Sequence, residues 1–273
     1  MEIMKTRKEV LIVVPIKDMF QAENLKSTIT DWTYEDQARA FNRKEGDLQG
    51  YDCPICKNKG VVMEVKDGIL YDRECDCMKT RYSMQRIEKG GLKDLMEKCT
   101  FENFKTDEDF QKAMKKAAIS FCEQKKGWFY IGGQPGCGKT HICTAVAASY
   151  LNEGKEVRYL VWSDVSPLLK ALKMREGKYQ KEIEKYKRIP VLYIDDFLKT
   201  RRQEPPTDAD INIAFELINA RYNDREKVTI ISSEWTVQEI MDFDEGLGSR
   251  IYAATGNYKI RISRNLGKNY RLK

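Results

Sequence analysis

An α/β fold, a five-stranded parallel sheet between helices with a small cysteine-bearing module ahead of it, is what this sequence predicts, on three observations. A buried strand at 128–131 runs into a glycine-rich turn that opens a helix. A second apolar strand at 191–194 ends in two aspartates, and a C-x2-C pair followed by a C-x-C pair sits in the polar first third. Length agrees: 273 residues with 41% hydrophobic content suit one full α/β domain and a smaller accessory module.

The elements can be justified in order. The N-terminal run Val10–Ile16 superficially resembles a secretory signal. It is very short, is followed by Lys17 and Asp18, and has no small-residue cleavage site, so it reads as a strand or a partner-binding segment. No stretch approaches membrane-spanning length, and a cytoplasmic location is expected. Helical spacing appears over Thr33–Arg43 and again over Thr80–Lys89, where Gly90-Gly91 breaks it. Between them Val61–Val65 and Gly68–Tyr71 pattern as a hairpin.

Eight cysteines are unusual for a cytoplasmic chain unless they do chemistry or bind metal. Cys53 and Cys56 are followed, after 18 intervening residues, by Cys75 and Cys77, and the hairpin between can bring both pairs to one tetrahedral Zn²⁺. Four thiolates leave no open position, so the expected zinc is structural; a redox pair or unrelated buried cysteines are the competing readings. Cys99, Cys122, Cys137 and Cys143 fall outside the pattern and read as packing residues, although alkylation of Cys137 could block the glycine-rich turn. Residues 1–100 therefore form a module in which metal substitutes for a core.

From Thr106 the texture changes. Asp107–Lys126 reads as a helix, 128–131 as a strand, the segment from His141 to Gly154 as a helix, and Glu156–Trp162 as a strand. A long helix capped by Ser163 or Asp164 follows, with Leu168, Leu169, Leu172 and Met174 on one face, ending in the alternating charges of Lys178–Arg188. Then come the strand at 191–194, a helix over Asp208–Arg225, a strand at Val228–Ile231, a short helix over Thr236–Phe243, and an edge strand at Tyr258–Ser263.

The chemistry concentrates at two places. Gly133-Gln134-Pro135-Gly136-Cys137-Gly138-Lys139-Thr140 matches G-x4-G-K-[ST], in which backbone N–H groups wrap around phosphates ahead of a helix N-terminus at His141. Lys139 is placed to reach the β- and γ-phosphates of a nucleoside triphosphate, and Thr140 to ligate Mg²⁺. About 55 residues on, the strand at 191–194 delivers Asp195 to hold Mg²⁺ through water and Asp196 to polarise the attacking water. ATP hydrolysis is the expected reaction. After the fourth core strand, Ser232-Ser233-Glu234 stands where a polar residue can sense the γ-phosphate. Gly248-Ser249-Arg250 offers an arginine after a glycine-rich loop, able to act as a finger on a neighbouring subunit's nucleotide.

With these residues in place the chain resembles the AAA+ replicative helicase loaders of the DnaC and DnaI type, with the IstB-type transposase helper ATPases close behind. The resemblance rests on Lys98–Phe104, Gly133–Thr140, Tyr193–Asp196, Thr229–Ser233, Gly248–Ile251 and Asn269–Arg271, covering about residues 98–271. It implies a helicase-interaction domain with a zinc site at 1–100 and an AAA+ P-loop ATPase core at 101–273. Carried over by position, Lys139 binds phosphate, Thr140 and Asp195 serve Mg²⁺, Asp196 is the hydrolytic base, and Arg250 is the trans-acting finger. A DnaB-type hexameric helicase, single-stranded DNA, and self-assembly through nucleotide-bridged interfaces are the implied partners, with no membrane.

Two departures stand out. Glu234 replaces the usual asparagine, and a carboxylate beside the γ-phosphate repels it unless protonated or turned away, so hydrolysis is expected to be slow or Ser233 to take over sensing. Only 23 residues follow Arg250, too few for a C-terminal helical lid, so no lid arginine is expected. The net charge of +6 and pI near 8.7 fit a nucleic-acid partner, an acidic protein partner, or ordinary surface lysines alike. Lys199, Arg201, Arg202 and the Lys178–Arg188 segment are candidate single-strand contacts, with a solvated charged face the competing reading. The alternative functions are a transposase-helper ATPase and an ATP-switched binding module with negligible turnover.

Overall fold

A computed structural model describes residues 32–89, 93–175, 177–200 and 204–272. The Val10–Ile16 segment, the Gly90-Gly91 break, Arg201 and Arg202 lie outside them.

The core is a five-stranded, wholly parallel sheet in the order β4-β5-β6-β3-β7. Its strands are β3 (Trp128–Gly133), β4 (Val157–Val161), β5 (Val191–Asp195), β6 (Val228–Ser233) and β7 (Lys259–Ile262). The three inner strands are buried at every residue, whereas the edges β4 and β7 are only partly covered. That is why the inner strands read as continuous apolar runs rather than alternating ones.

Alternation instead sends side chains to two cores. Tyr130, Leu192, Ile194 and Ile231 pack with α6 (Trp162–Lys173), α7 (Lys178–Arg188), α8 (Asp208–Tyr222), α9 (Val237–Phe243) and α10 (Glu245–Thr255). Phe129, Ile131, Tyr193 and Ile230 pack on the other face with α4 (Asp109–Gln124) and α5 (Lys139–Asn152).

Ahead of the core stand α1 (Tyr34–Arg43), the antiparallel hairpin β1 (Val61–Lys66) and β2 (Ile69–Glu74), α2 (Cys77–Lys89) and the short α3 (Lys93–Lys98). A reciprocal Thr33–Asp36 capping box starts α1. Asn42 then clips α1 to β1 by accepting from Met63 N and donating to Met63 O. The module packs on the edge strand of the core sheet, where Val157 N donates to the Ser83 hydroxyl of α2 at 3.2 Å. A sheet edge is thereby covered.

Four local expectations are corrected. The single helix expected from Ser163 to Arg188 is two, α6 and α7, parted at Gly177 with φ +69°. Its expected cap is also displaced: α6 starts at Trp162, with Ser163 and Asp164 inside it. Nor do all four apolar residues share a buried face, since Leu169 is buried but Leu168 is exposed and Met174 is 90% exposed. The glycine-rich loop expected before Arg250 is part of α10, a helix started by Asp244 accepting from Leu247 N at 2.6 Å. Gly248 serves packing there, because a Cβ at that position would lie 2.7 Å from the Met241 backbone of α9.

Candidate functional site: a phosphate cradle at the sheet edge

The C-terminal edge of the inner strands gathers the chemistry, as expected for an open α/β sheet. β3 leads into the turn at Gly133–Gly138, where Gly133, Gly136 and Gly138 all have positive φ, and α5 starts at once with Lys139. These backbone conformations turn successive N–H groups toward one point and aim the helix N-terminus at it. The result is a cavity of about 190 Å³ lined by Pro135, Gly136, Gly138, Lys139, Thr140, His141, Asp196, Lys199, Glu234 and Arg271.

Lys139 is buried, its ammonium donating to Gly133 O at 2.9 Å and Gln134 O at 2.8 Å. Burial pulls its pKa below the ordinary lysine value, with nearby anionic groups opposing. A phosphate supplies the negative charge that such a site favours.

β5 ends in Asp195, whose carboxylate takes three hydroxyl donors: Thr140 on Oδ1 at 3.2 Å, Tyr159 on Oδ2 at 3.0 Å, and Ser232 on Oδ1. The Ser232 hydroxyl also accepts from Asp196 N at 3.2 Å, so β6 holds both the last residue of β5 and the residue after it. Thr140 and Asp195 thus present hard oxygen ligands side by side, the donor set that suits Mg²⁺. Asp196 has φ +52°, a left-handed turn that swings its carboxylate out of the strand into the cavity.

Glu234 also faces the cavity, and its charge is answered by Lys199, which the sequence offers as either a single-strand contact or part of a solvated face. The Lys199 ammonium bridges Asp196 at 2.9 Å and Glu234 at 3.1 Å. Burial lowers the Lys199 pKa, but bonding to the two carboxylates outweighs it and the net shift is upward. Ser233 does not share the cavity: it is buried, donates to Phe197 O at 2.7 Å and accepts from Trp235 N at 3.0 Å. Sensing by the Ser233 hydroxyl has no geometric basis here.

Other expected residues divide in the same way. His141 sits at the cavity with Nε2 2.8 Å from Thr100 O and its ring edge-on to Phe104, tying the 98–104 segment to α5. Gly133, Gln134 and Cys137 belong to the loop but not to the cavity lining. Cys137 points into the core with no exposed surface, and burial pushes its thiol pKa up, so it offers no ready target for alkylation. Arg250 is outside the cavity, bonded to Asn219 Oδ1 at 2.9 Å and Gly246 O at 2.8 Å and stacked on Phe215. Arg271, which the sequence marks only through the family resemblance, lines the cavity from the segment that follows β7.

The four patterned cysteines form a second site. All are buried, and their Sγ atoms lie within 4.8 Å of one another, with Cys53–Cys75 at 3.7 Å and Cys56–Cys77 at 3.5 Å. Tetrahedral Zn–S bonds of about 2.3 Å imply S···S edges of about 3.8 Å, so the set fits zinc closely. Gly60 N donates to Cys56 Sγ at 3.4 Å, and Arg81 braces the loop through Gln49 O, Tyr51 O and Asn58 Oδ1. These supports hold the loops that carry the thiols.

Comparison with known proteins decides the family. The model for the IstB-like ATP-binding proteins matches residues 58–249. The chain belongs to that family. It is 26% identical to the uncharacterized protein YqaM of Bacillus subtilis, over 86% of this chain and 91% of that protein. It is also 28% identical to the replicative helicase loader DnaC of Escherichia coli, over 41% of this chain and 46% of that protein. Among solved structures, the DnaC helicase loader aligns with a TM-score of 0.50 at 22% identity, over 62% of this chain and 98% of that one. AMPPCP-bound DnaA from Aquifex aeolicus aligns with the same TM-score at 21% identity, over 64% and 53%. These structural likenesses are of fold: the core of this member of the IstB-like family is folded like those two proteins. No helix among the described residues is long and apolar enough to cross a membrane.

Proposed function

We propose that this protein is an ATP-dependent loader that binds a replicative hexameric helicase and delivers it onto single-stranded DNA. The observation that carries the reading is the assembly of Lys139, Thr140, Asp196 and Glu234 around one cavity, with Asp195 bonded to Thr140, in a chain with relatives named as helicase loaders. The cavity would take the phosphates of ATP: Lys139 and the loop N–H groups would hold them, Thr140 and Asp195 are the residues that would hold Mg²⁺, and Asp196 is placed to orient water for hydrolysis. Arg250 lies outside the cavity of its own subunit, which supports a role at a neighbour's nucleotide once subunits stack. Residues 1–100 form the helicase-interaction domain stapled by zinc, and residues 101–273 the ATPase core.

The test is size-resolved binding of the zinc-loaded protein to its cognate hexameric helicase with ATP, with ADP, and for Lys139→Ala. A stoichiometric complex that responds to nucleotide is expected; no complex under any condition overturns the loader. The family match keeps a transposase-helper ATPase as the second reading, which predicts binding to duplex DNA and stimulation of a transposase.

A further inference from the structure

The turn that carries Lys199 is held in an unfavourable backbone conformation. Asp196 and Leu198 have φ of +52° and +58°, and for a side chain as bulky as leucine such a φ persists only where its surroundings enforce it. Here they do. Phe197 N donates to Ser232 O at 2.8 Å, and the Ser233 hydroxyl donates to Phe197 O at 2.7 Å. Trp235 Nε1 donates to Leu198 O at 3.0 Å, and Lys199 N closes the turn on Asp196 O at 2.9 Å. The Phe197 and Leu198 side chains have no exposed surface, and Phe197 meets the Trp162 ring edge-on at 5.0 Å. The inward turn of Ser233 thus has a use: it anchors the segment that delivers Lys199 to the cavity.

What the turn delivers is an ammonium with a donor to spare. Lysine has three N–H donors. Two go to Asp196 Oδ2 at 2.9 Å and Glu234 Oε1 at 3.1 Å, and among the described residues the third has no acceptor. The trio is not sealed off. The Lys199 side chain is 34% exposed, those of Asp196 and Glu234 are 30% and 16% exposed, and all three line the cavity they share with Lys139 and Thr140. Bonding through Oδ2 leaves Asp196 Oδ1 for a water, and a water poised to attack stands between its base and the terminal phosphate. A cation 2.9 Å from that base is within reach of the same phosphate.

We infer that Lys199 is a catalytic residue whose third N–H binds the terminal phosphate of a nucleoside triphosphate, while its other two keep Asp196 and Glu234 in place beside it. This rests on the ATP-binding reading above. In hydrolysis the water oxygen bonds to the terminal phosphorus as the bond from that phosphorus to the β–γ bridging oxygen breaks. The water's proton passes to Asp196 Oδ1, and the leaving electron pair stays on the diphosphate. Lys199 remains protonated throughout and offsets charge on the phosphoryl oxygens in flight. A diphosphate has no group at that position, so Lys199 tells the two nucleotides apart.

The competing role for Lys199 is to neutralise Asp196 and Glu234 without touching nucleotide, and one experiment separates the two. The full zinc-loaded chain is titrated calorimetrically with ADP and with AMPPCP, a triphosphate that resists hydrolysis. The proteins are wild type, Lys139→Ala, and an Asp196→Asn, Glu234→Gln double variant with Lys199 kept or changed to Ala. In the double variant no carboxylate of the trio is left to neutralise. Loss of Lys199 there is still expected to weaken AMPPCP about tenfold and ADP no more than about twofold, the loss of one charge-assisted hydrogen bond. Lys199→Gln, which keeps most of the stem, serves if the alanine variant fails to fold, and the same selective loss is expected of it. Unchanged AMPPCP affinity on removing Lys199 in that background overturns the inference, as does an equal loss for the two nucleotides. If wild type binds neither nucleotide, or Lys139→Ala binds both as well as wild type, the ATP-binding reading itself fails, and the two failures are thereby told apart.

Discussion

The Thr140 hydroxyl donates to Asp195 Oδ1 at 3.2 Å, joining the first residues of α5 to the last residue of β5 across 55 positions of sequence. Asp195 is further gripped by Tyr159 and Ser232, one from each neighbouring strand, so its carboxylate has little freedom to rotate. Tyr159→Phe removes one support without touching a metal ligand. Such second supports typically matter about tenfold or more to metal affinity. Titrating Mg²⁺ against nucleotide-bound protein should show about that loss for Tyr159→Phe and near-complete loss for Asp195→Ala; a Tyr159→Phe curve matching wild type contradicts the arrangement.

Lys199 between Asp196 and Glu234 has consequences for binding and for pH. Lys199→Ala leaves two carboxylates facing the phosphates without a counter-charge, and ATP affinity should fall about tenfold. A Glu234→Asn change in that background should recover part of the loss, a coupling visible in a double-mutant cycle. Because the Lys199 pKa is raised above its ordinary 10.5, its contribution is fully present below that value and is lost only as pH rises through the raised one. The affinity difference between wild type and Lys199→Ala should therefore stay level from about pH 6 to about pH 9. A difference that fades within that window excludes the triad. Glu234→Asn alone should raise ATP turnover several-fold, about one step of repulsion removed; an unchanged rate sinks the idea that Glu234 slows hydrolysis.

The cysteine cluster predicts about one zinc per chain by elemental analysis. Cys75→Ser should lose the metal and loosen the cysteine-bearing part from Tyr51 to Met78 while leaving the core's transition in place, because those residues form a hydrophobic cluster of their own, whereas Met84 of α2 packs with the core. A Cys75→Ser protein with full zinc content, or with an unaltered melting profile, argues against a structural metal.

Gly248 tests the α9–α10 contact. An alanine there drives its Cβ to 2.5 Å from Met241 Cγ and 2.7 Å from the Met241 backbone, so α10 must shift. Overpacking of this kind costs about 1–3 kcal/mol. Chemical denaturation of Gly248→Ala should show that loss. A stability equal to wild type would mean the helices part without cost.

The core was legible because its signals are local. Continuous apolar runs at 128–131 and 191–194, and Val228-Thr229-Ile230-Ile231 with its single threonine, mark strands buried on both faces, and the glycines at 133, 136 and 138 mark a turn that needs positive φ. The cysteine spacing carried the second site for the same reason: four thiols within 4.8 Å follow from two short turns and one hairpin. What misled were residues whose role depends on distant neighbours. Gly248 looks like a loop glycine until Met241 is seen against it. Ser163 looks like a cap until the helix is found to start at Trp162, and Lys199 looks like part of a basic run until two carboxylates close on it.

By itself the sequence determined the α/β class, the phosphate loop, the two aspartates and the four-cysteine set, since each is a pattern of residue types at short spacing whose backbone geometry admits few alternatives. Only the tertiary structure decided which charges share the cavity. That Lys199 neutralises Glu234, that Ser233 turns inward, that Arg250 stands outside and that Arg271 arrives from the far end of the chain all depend on the parallel order β4-β5-β6-β3-β7. That order brings strand ends far apart in sequence to one edge, and electrostatic partnership falls off with distance in space, not along the chain.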